Sequence, residues 1–350
     1  MGTVEESGAV AAATAMMKVS RLPRTWTENT LPHTESAAAS AVDAGASAGI
    51  DEITVCICSY RRPELLERLL AALAAQRTDG LFTFSCAIVD NDASASAHAV
   101  VDRLRPTYPV PIRYAVEPAR NFALARNQAL NLVSGKYLAF IDDDEVPGED
   151  WLLQMWRTLH RFHADAVLGP VRPYFEAQPP SWILRSRLCE RPSHATGTTL
   201  DWRQTRTGNV LLRTAIVAED GVRFDPDYAT GGEDVDFFRR AARAGKTFVW
   251  CEEAPAYELV PEARLRRSYF LRRALLQGRV SLKYATEQPA VGTLPVAAKA
   301  LVAAAVYTLA LPFLFLLGDH VGMKYLVKDC HHIGRLLAVL GVQHSCSRDF

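Results

Sequence analysis

The stretch Tyr137-Leu138-Ala139-Phe140-Ile141-Asp142-Asp143-Asp144-Glu145 decides the fold class. An apolar run followed at once by consecutive acids reads as a buried strand that delivers carboxylates to the edge of a sheet. Adjacent acids repel and raise one another's pKa, so they are best tolerated where a divalent cation or a set of donors neutralises them. Oxygen-only ligands suit hard ions such as Mg²⁺ or Mn²⁺, which bridge one or two carboxylates to a substrate's phosphates. An isolated acidic triplet is more often a solvated turn. Its position after a strand, together with the other motifs of the chain, turns the reading toward a site.

The flanking segments repeat the design. Ile53-Thr54-Val55-Cys56-Ile57-Cys58-Ser59 ends in the polar turn Tyr60-Arg61-Arg62-Pro63, and Leu65, Leu66, Leu69, Leu70 and Leu73 then recur at helical spacing up to Gln76. A strand over residues 86–89 ends in Asp90-Asn91-Asp92, and a helix over 97–105 and a short strand over 112–116 follow. A helix over 121–134 leads into the acid-bearing strand, with another helix over 147–161 beyond it. This alternation implies an α/β domain with a mainly parallel sheet and helices on both faces. Ligands bind such sheets at the carboxyl ends of the strands, where Ser59-Tyr60-Arg61, Asp90-Asn91-Asp92 and Asp142-Asp143-Asp144 all fall. No Gly-x-Gly-x-x-Gly follows a strand, and Gly245-Lys246-Thr247 has Arg240 where a phosphate loop needs glycine, so dehydrogenase and P-loop readings fail.

Composition narrows the classes. A chain of 350 residues that is 49% hydrophobic can bury a full core. Lys+Arg and Asp+Glu balance at 39 each, which removes the global electrostatic case for nucleic acid. The seven cysteines are scattered in apolar runs and read as reduced core residues. Residues 1–50, rich in Ala, Ser and Thr, read as a disordered extension without a signal peptide, which keeps the body in the cytosol. Residues 169–206 interleave prolines with Tyr174, Phe175, Trp182 and Trp202, a long aromatic loop region of the kind that serves sugars or simply packs. A second acidic group, Thr230-Gly231-Gly232-Glu233-Asp234, opens a helix after a glycine turn. Acids there complement the helix dipole, and beside a metal site one of them could serve as a general base.

Taken together, Ser59 to Pro63, Asp90-Asn91-Asp92, Ala125-Arg126-Asn127, the Asp142 triplet with Glu145 and Pro147, Thr207-Gly208-Asn209 and Gly231-Gly232-Glu233-Asp234 resemble glycosyltransferase family 2. The likeness is greatest to bacterial exopolysaccharide enzymes of the succinoglycan-biosynthesis type, and it covers residues 53–284. It implies a GT-A-type, Rossmann-like single catalytic domain over residues 51–260, a nucleotide-diphosphate sugar donor, a divalent metal (Mg²⁺ or Mn²⁺) and inversion at the anomeric carbon. Carried over, it places Ser59, Tyr60 and Arg62 near base and ribose, Asp90 at the base, and Arg126 and Asn209 among the nucleotide-sugar contacts. Asp142 and Asp143 would hold ribose and metal-bound water, and Asp144 the metal. Asp234 becomes the base that deprotonates the acceptor hydroxyl, with Glu233 positioning it or the acceptor. Relatives often carry Tyr-Glu-His-Val-Pro where this chain has Tyr257-Glu258-Leu259-Val260-Pro261, so a histidine ligand is missing. A nucleotidyltransferase and a catalytically silent carbohydrate-binding protein are the competing readings.

Residues 261–350 form a basic and hydrophobic helical C-terminal region. Residues 300–318 are charge-free and apolar, long enough to cross a hydrocarbon core of about 30 Å at about 1.5 Å per residue, although Pro312 interrupts them. Arg264, Arg266, Arg267, Arg272, Arg273, Arg279 and Lys283 precede them and suit anionic headgroups or a pyrophosphate-linked lipid acceptor. The expected setting is a bacterial inner membrane with the catalytic domain on the cytoplasmic side and a saccharide or lipid-linked acceptor.

Overall fold

Strand pairing in the computed structural model, which describes residues 50–228, 231–286 and 293–341, divides the catalytic portion between two sheets. The stretch read as a disordered extension lies, apart from Ile50, outside the described residues, as does Thr230. Along the chain, β1 (Asp51–Ser59), α1 (Pro63–Ala74), β2 (Phe82–Asp90), α2 (His98–Leu104), β3 (Ile112–Val116), α3 (Phe122–Asn131) and β4 (Tyr137–Phe140) give the expected alternation. Next come β5 (Glu145–Pro147), α4 (Trp151–Arg161), β6 (Ala166–Leu168), β7 (Val171–Tyr174), α5 (Ser181–Ser186), β8 (Val210–Arg213) and α6 (Ala215–Ala218). The domain closes with α7 (Glu233–Arg243), β9 (Phe248–Trp250) and β10 (Ala256–Leu259), and three long helices follow: α8 (Arg267–Thr286), α9 (Thr293–Leu316) and α10 (Asp319–Val339).

The larger sheet has the order β3-β2-β1-β4-β8-β6-β9, parallel except where β8 lies antiparallel between β4 and β6. The chain steps from β1 outward to β3 and then returns to β4 on the other side of β1, which opens a crevice at the carboxyl ends of β1 and β4. Both faces are covered. Ile53, Val55 and Ile57 pack with Leu66, Leu69 and Leu70 of α1 on one side, while Val89, Leu138 and Phe140 pack with Phe237 and Phe238 of α7 on the other. Strands buried on both faces read as continuous apolar runs, which is why β1, β2 and β4 were visible in the sequence. Each fully buried leucine of α1 contributes about 1.5–3 kcal/mol through its removal from water.

The smaller sheet, β5-β10-β7, corrects the helix expected over 147–161. Glu145 to Pro147 is an edge strand antiparallel to β10, and the helix starts only at Trp151. An edge position tolerates Pro147, which has no N–H to give.

The C-terminal helices form a layered unit. A Cβ on Gly278 of α8 would lie 2.0 Å from the His331 carbonyl oxygen, and one on Gly334 of α10 would lie 2.2 Å from that of Leu275. Only glycine permits so close a crossing. On its other side α10 receives α9: the Thr308 hydroxyl donates to the buried Asp329 carboxylate at 3.0 Å, and the Tyr307 and Tyr325 rings lie 5.8 Å apart. Pro312 sits within α9 without ending it. Ala300 and Ala304 face inward, whereas Val302, Val306, Leu309, Phe313 and Leu316 line the outer face at helical spacing, with Leu309 76% and Leu316 83% exposed. By length and composition Leu294–Leu316 could cross a bilayer, but α10 lies against it and carries Lys324, Lys328, Asp329 and Arg335.

Candidate active site

The register that sets Ser59 beside Asp90 also brings the end of β1 next to the acids that leave β4. The Ser59 hydroxyl donates to Asp143 Oδ2 at 2.9 Å. Arg62 Nη1, from the turn after β1, reaches Asp143 Oδ1 and Asp144 Oδ2, both at 3.2 Å. Arg264 Nη2 approaches the same Asp144 oxygen at 3.4 Å while its Nη1 donates to Glu258 Oε1 at 2.8 Å, and Arg191 holds the other Glu258 oxygen at 2.5 Å. The acids are therefore partly neutralised by arginines drawn from three distant parts of the chain.

Neutralisation is incomplete. Burial and the neighbouring Asp144 push the Asp143 carboxyl up to about 7. Burial, Asp142 and Glu258 raise Asp144 as well. Burial would raise Glu258 too, but Arg191 and Arg264 bring it below the usual carboxylate range. Glu145 is buried, raised well above its ordinary value, and one of its oxygens has no partner among the described residues. Gly208 explains how the Thr207-Gly208-Asn209 turn fits here, because a Cβ would meet Glu145 Oε1 at 2.8 Å and Asp142 Oδ2 at 3.1 Å.

A second pairing joins α3 to α7. Arg126 donates to the buried Glu233 carboxylate and lies 3.6 Å from Asp142 Oδ1. Burial disfavours its charge, yet Glu233 and Asp142 hold it firmly protonated. Burial in turn raises Glu233, whose Oε2 has no partner among the described residues. Gly231 and Gly232, at φ of 120° and 95°, turn the chain so that Asp234 follows at the helix start. Asp234 is half-buried and its Oδ1 accepts only from the Val235 amide, leaving the carboxylate directed at open space. That space is a cavity of about 880 Å³ whose wall includes Arg62, Asp142, Asp234, Glu258 and Arg264. Trp202 also lines it, with the Arg203 guanidinium 4.1 Å over its ring.

Other expected site residues sit deeper. Asp90 is fully buried and accepts from the Ala97 amide at 2.6 Å and the Tyr114 hydroxyl at 3.1 Å. Asn209, also fully buried, accepts from Trp151 Nε1 at 2.6 Å and donates to the carbonyls of Pro170 and Ala254. Its amide is spent on holding α4, β7 and β10 together, so it stands apart from the cavity. Tyr60 is half-buried with the Arg61 and Arg120 guanidinium groups over its ring at 5.2 and 4.9 Å. Leu259 donates its backbone amide to the Asp144 carbonyl at 2.9 Å, and Arg264 is the basic group that arrives beside this carboxylate.

Carboxylate oxygens are the donors a hard cation takes, and Asp142 and Asp144 supply them, now facing Arg126, Arg62 and Arg264. Among the described residues no group of three His, Cys, Asp or Glu side chains could hold an ion without help, so oxygens of a bound phosphate would have to complete its shell. The cysteines take no part: burial pushes the Cys58 and Cys86 thiols up to about 12.

Sequence reading missed Glu258, Arg264 and Arg191 as members of the acid cluster. It also missed Arg206, whose Nε is buried without a partner and whose pKa burial and Arg191 lower to about 10. Arg206 stands inside the quoted Thr-Gly-Asn neighbourhood and Glu258 beside the altered Leu259, so both lay within reach. Arg264 was visible only as part of a basic run.

Comparison with known proteins agrees with this geometry. The profile described as "Glycosyl transferase family 2" matches residues 54–215. The succinoglycan biosynthesis protein ExoM of Rhizobium meliloti (strain 1021) is 37% identical over 230 residues, 65% of this chain and 72% of that protein. ExoW, a succinoglycan biosynthesis protein of the same organism, is 26% identical over 219 residues, 59% of this chain and 68% of its own length. Among solved structures, S. aureus TarS 1–349 in complex with UDP-GlcNAc aligns with a TM-score of 0.50 at 13% identity, covering 83% of this chain and 92% of that one. The expected α/β fold of GT-A type, with a mainly parallel central sheet and an apolar C-terminal helix, holds.

Proposed function

Since this chain belongs to glycosyl transferase family 2, we propose that it moves a sugar from a nucleoside-diphosphate donor to a lipid-linked saccharide, with inversion at the anomeric carbon, in the synthesis of a cell-surface polysaccharide. The observation that carries this reading is the single cavity onto which Asp234, Asp142 and Arg62 open, at the carboxyl ends of the strands where such sheets bind ligands. TarS, of like fold, is crystallised with UDP-GlcNAc, which supports a nucleotide sugar as donor. ExoM and ExoW, by name succinoglycan biosynthesis proteins, support the polysaccharide setting.

In this reading the acceptor hydroxyl attacks the anomeric carbon, the bond from that carbon to the diphosphate oxygen breaks, and the acceptor's proton passes to the Asp234 carboxylate. Glu233, locked by Arg126, positions Asp234 and the α3–α7 contact. Ser59, Tyr60 and Arg62 flank the nucleotide, with Asp90 shaping the β2 end behind it. Arg62 and Arg264 exchange part of their hold on Asp144 for diphosphate oxygens. A Mg²⁺ or Mn²⁺ ion held by Asp144, with Asp142 and Asp143 around it, would supply positive charge to the departing diphosphate. The outer face of α9 rests in the cytoplasmic leaflet of a bacterial inner membrane, with the catalytic domain in the cytoplasm.

A panel of nucleotide sugars incubated with the purified chain and Mn²⁺ tests the donor half through release of nucleoside diphosphate. NMR of the glycosidic bond formed on a true acceptor tests inversion. Release from no donor would refute the transferase reading, and a retained anomeric configuration would refute the single-displacement step.

A further inference from the structure

The cavity has two unlike walls. On the wall built from strand ends each arginine is tied to carboxylates, as Arg62 is to Asp143 and Asp144 and Arg264 to Glu258 and Asp144. On the opposite wall, built from α8 and α10, Arg273 donates to the Tyr269 hydroxyl at 3.2 Å and Arg335 to the Ser281 hydroxyl at 2.8 Å. Among the described residues neither forms an ion pair with a carboxylate, although Arg273 lies near enough to Glu258 to help lower its pKa, and both line the cavity. Arg335 is half-buried, and desolvation pulls its pKa down. Two guanidinium groups held by neutral hydroxyls on the lining of one cavity call for an anion with several oxygens, because the planar fork of arginine matches phosphate.

The surroundings narrow the anion. Leu276 and Val280, one turn apart on α8, lie on the same wall and offer apolar surface beside the charge. The next layer out is α9, whose exposed stripe of Val302, Val306, Leu309, Phe313 and Leu316 is covered by none of the described residues. The lining of the cavity thus combines carboxylates, arginines tied to carboxylates, arginines held only by hydroxyls, and apolar side chains. A saccharide joined through phosphate to a lipid has parts to suit each.

We propose that Arg273 and Arg335 form the subsite for the phosphate that links the acceptor saccharide to its lipid, with Leu276 and Val280 against the first carbons of the chain. This subsite rests on the lipid-linked acceptor of the transferase reading and supplies the residues for it. The glycine crossing of Gly278 and Gly334 holds α8 and α10 close together, with Arg273 on one and Arg335 on the other lining the cavity.

Calorimetric titration of the full chain with farnesyl diphosphate, farnesol and inorganic pyrophosphate tests the assignment. Farnesyl diphosphate should bind more tightly than either fragment. Arg273→Gln with Arg335→Gln should weaken it about ten- to a hundredfold, the range for losing charge-assisted hydrogen bonds. The double lysine variant should keep most of the affinity, since it retains the charge. If the double glutamine variant fails to fold, Arg273→Gln alone carries the test, because Arg273 is exposed on α8 and its loss leaves the α8–α10 packing intact. Equal binding of farnesol and farnesyl diphosphate by the unaltered chain would overturn the proposal. So would unchanged affinity in a folded glutamine variant. Vesicles of phosphatidylcholine with and without phosphatidylglycerol separate the sources: if phosphatidylglycerol competes as well as farnesyl diphosphate, the arginines serve the bulk leaflet and the subsite is refuted. A chain that releases no nucleoside diphosphate from any donor, yet binds farnesyl diphosphate through both arginines, keeps the subsite and loses the transferase reading.

Discussion

The strand-end wall and the helical wall of the cavity treat charge in opposite ways. At the strand ends, carboxylates crowd together and arginines from positions 62, 126, 191 and 264 are committed to them before any ligand arrives. On the helical wall, the hydrogen-bond partners of Arg273 and Arg335 among the described residues are hydroxyls. A wall whose carboxylates are already partly paired is pre-formed, and a binding partner must exchange for contacts that already exist. An uncompensated wall gains new contacts outright, so its ligand changes affinity more than geometry.

The most severe way to break this contrast is Asp234→Asn, which keeps the shape of the helix start and removes the proton acceptor. Transfer should fall by about two to four orders of magnitude while donor binding stays near normal, as measured with a true donor and acceptor. Glu233→Gln should cost less. Near-normal transfer in both variants would place the base elsewhere. Asp144→Ala comes next: metal-dependent affinity for nucleoside diphosphate should drop at least about tenfold, roughly 1.4 kcal/mol, in a protein whose circular dichroism is unchanged. Affinity that no longer responds to Mn²⁺ is the expected titration result, and an unaltered Mn²⁺ response would return the triplet to a purely structural role.

Smaller effects should come from the helical side. Leu309→Glu with Phe313→Glu removes two side chains worth about 1.5–3 kcal/mol each in an apolar medium and should shift the protein from the membrane pellet to the supernatant. A full-length protein that is soluble without detergent would disprove the leaflet contact. The least effect is a pH slope. Burial, Arg335 and His332 lower His331 from 6.5 to about 4, so the folded state prefers the neutral ring. Its contribution to stability is complete above about pH 6.5 and is lost as pH falls through about 4, because the unfolded chain binds the proton first. The melting temperature should decline across that window, and His331→Gln should flatten part of the decline.

Much of the strand-end wall was legible because buried parallel strands are unbroken apolar runs that stop where the site begins. Ser59, Asp142 and Asp144 could be placed at one sheet edge from that alternation. The small β5-β10-β7 sheet was not legible, since strands of three or four residues carry no period and Pro147 looked like a helix start. Nor could the sequence pair Arg264 with Asp144 across 120 positions, or reveal that Asn209 spends its amide on packing. In the helices, the apolar stretch announced itself as a membrane segment. That α10 folds back against it, keeping charge beside it, depends on tertiary contacts through Thr308 and Asp329 that no local pattern encodes.

During synthesis Arg62 leaves the ribosome long before Arg335, and domains generally acquire structure in that order. On the proposed function, the nucleotide-sugar wall of a nascent chain would therefore be complete while the far wall of its cavity is still unmade. That wall closes only when α10 settles across α8 through Gly278 and Gly334, after α9 has emerged. On the proposed function, a polypeptide arrested before α10 would lack the helical wall that the acceptor needs, so completion of the acceptor site would depend on the last helix of the chain.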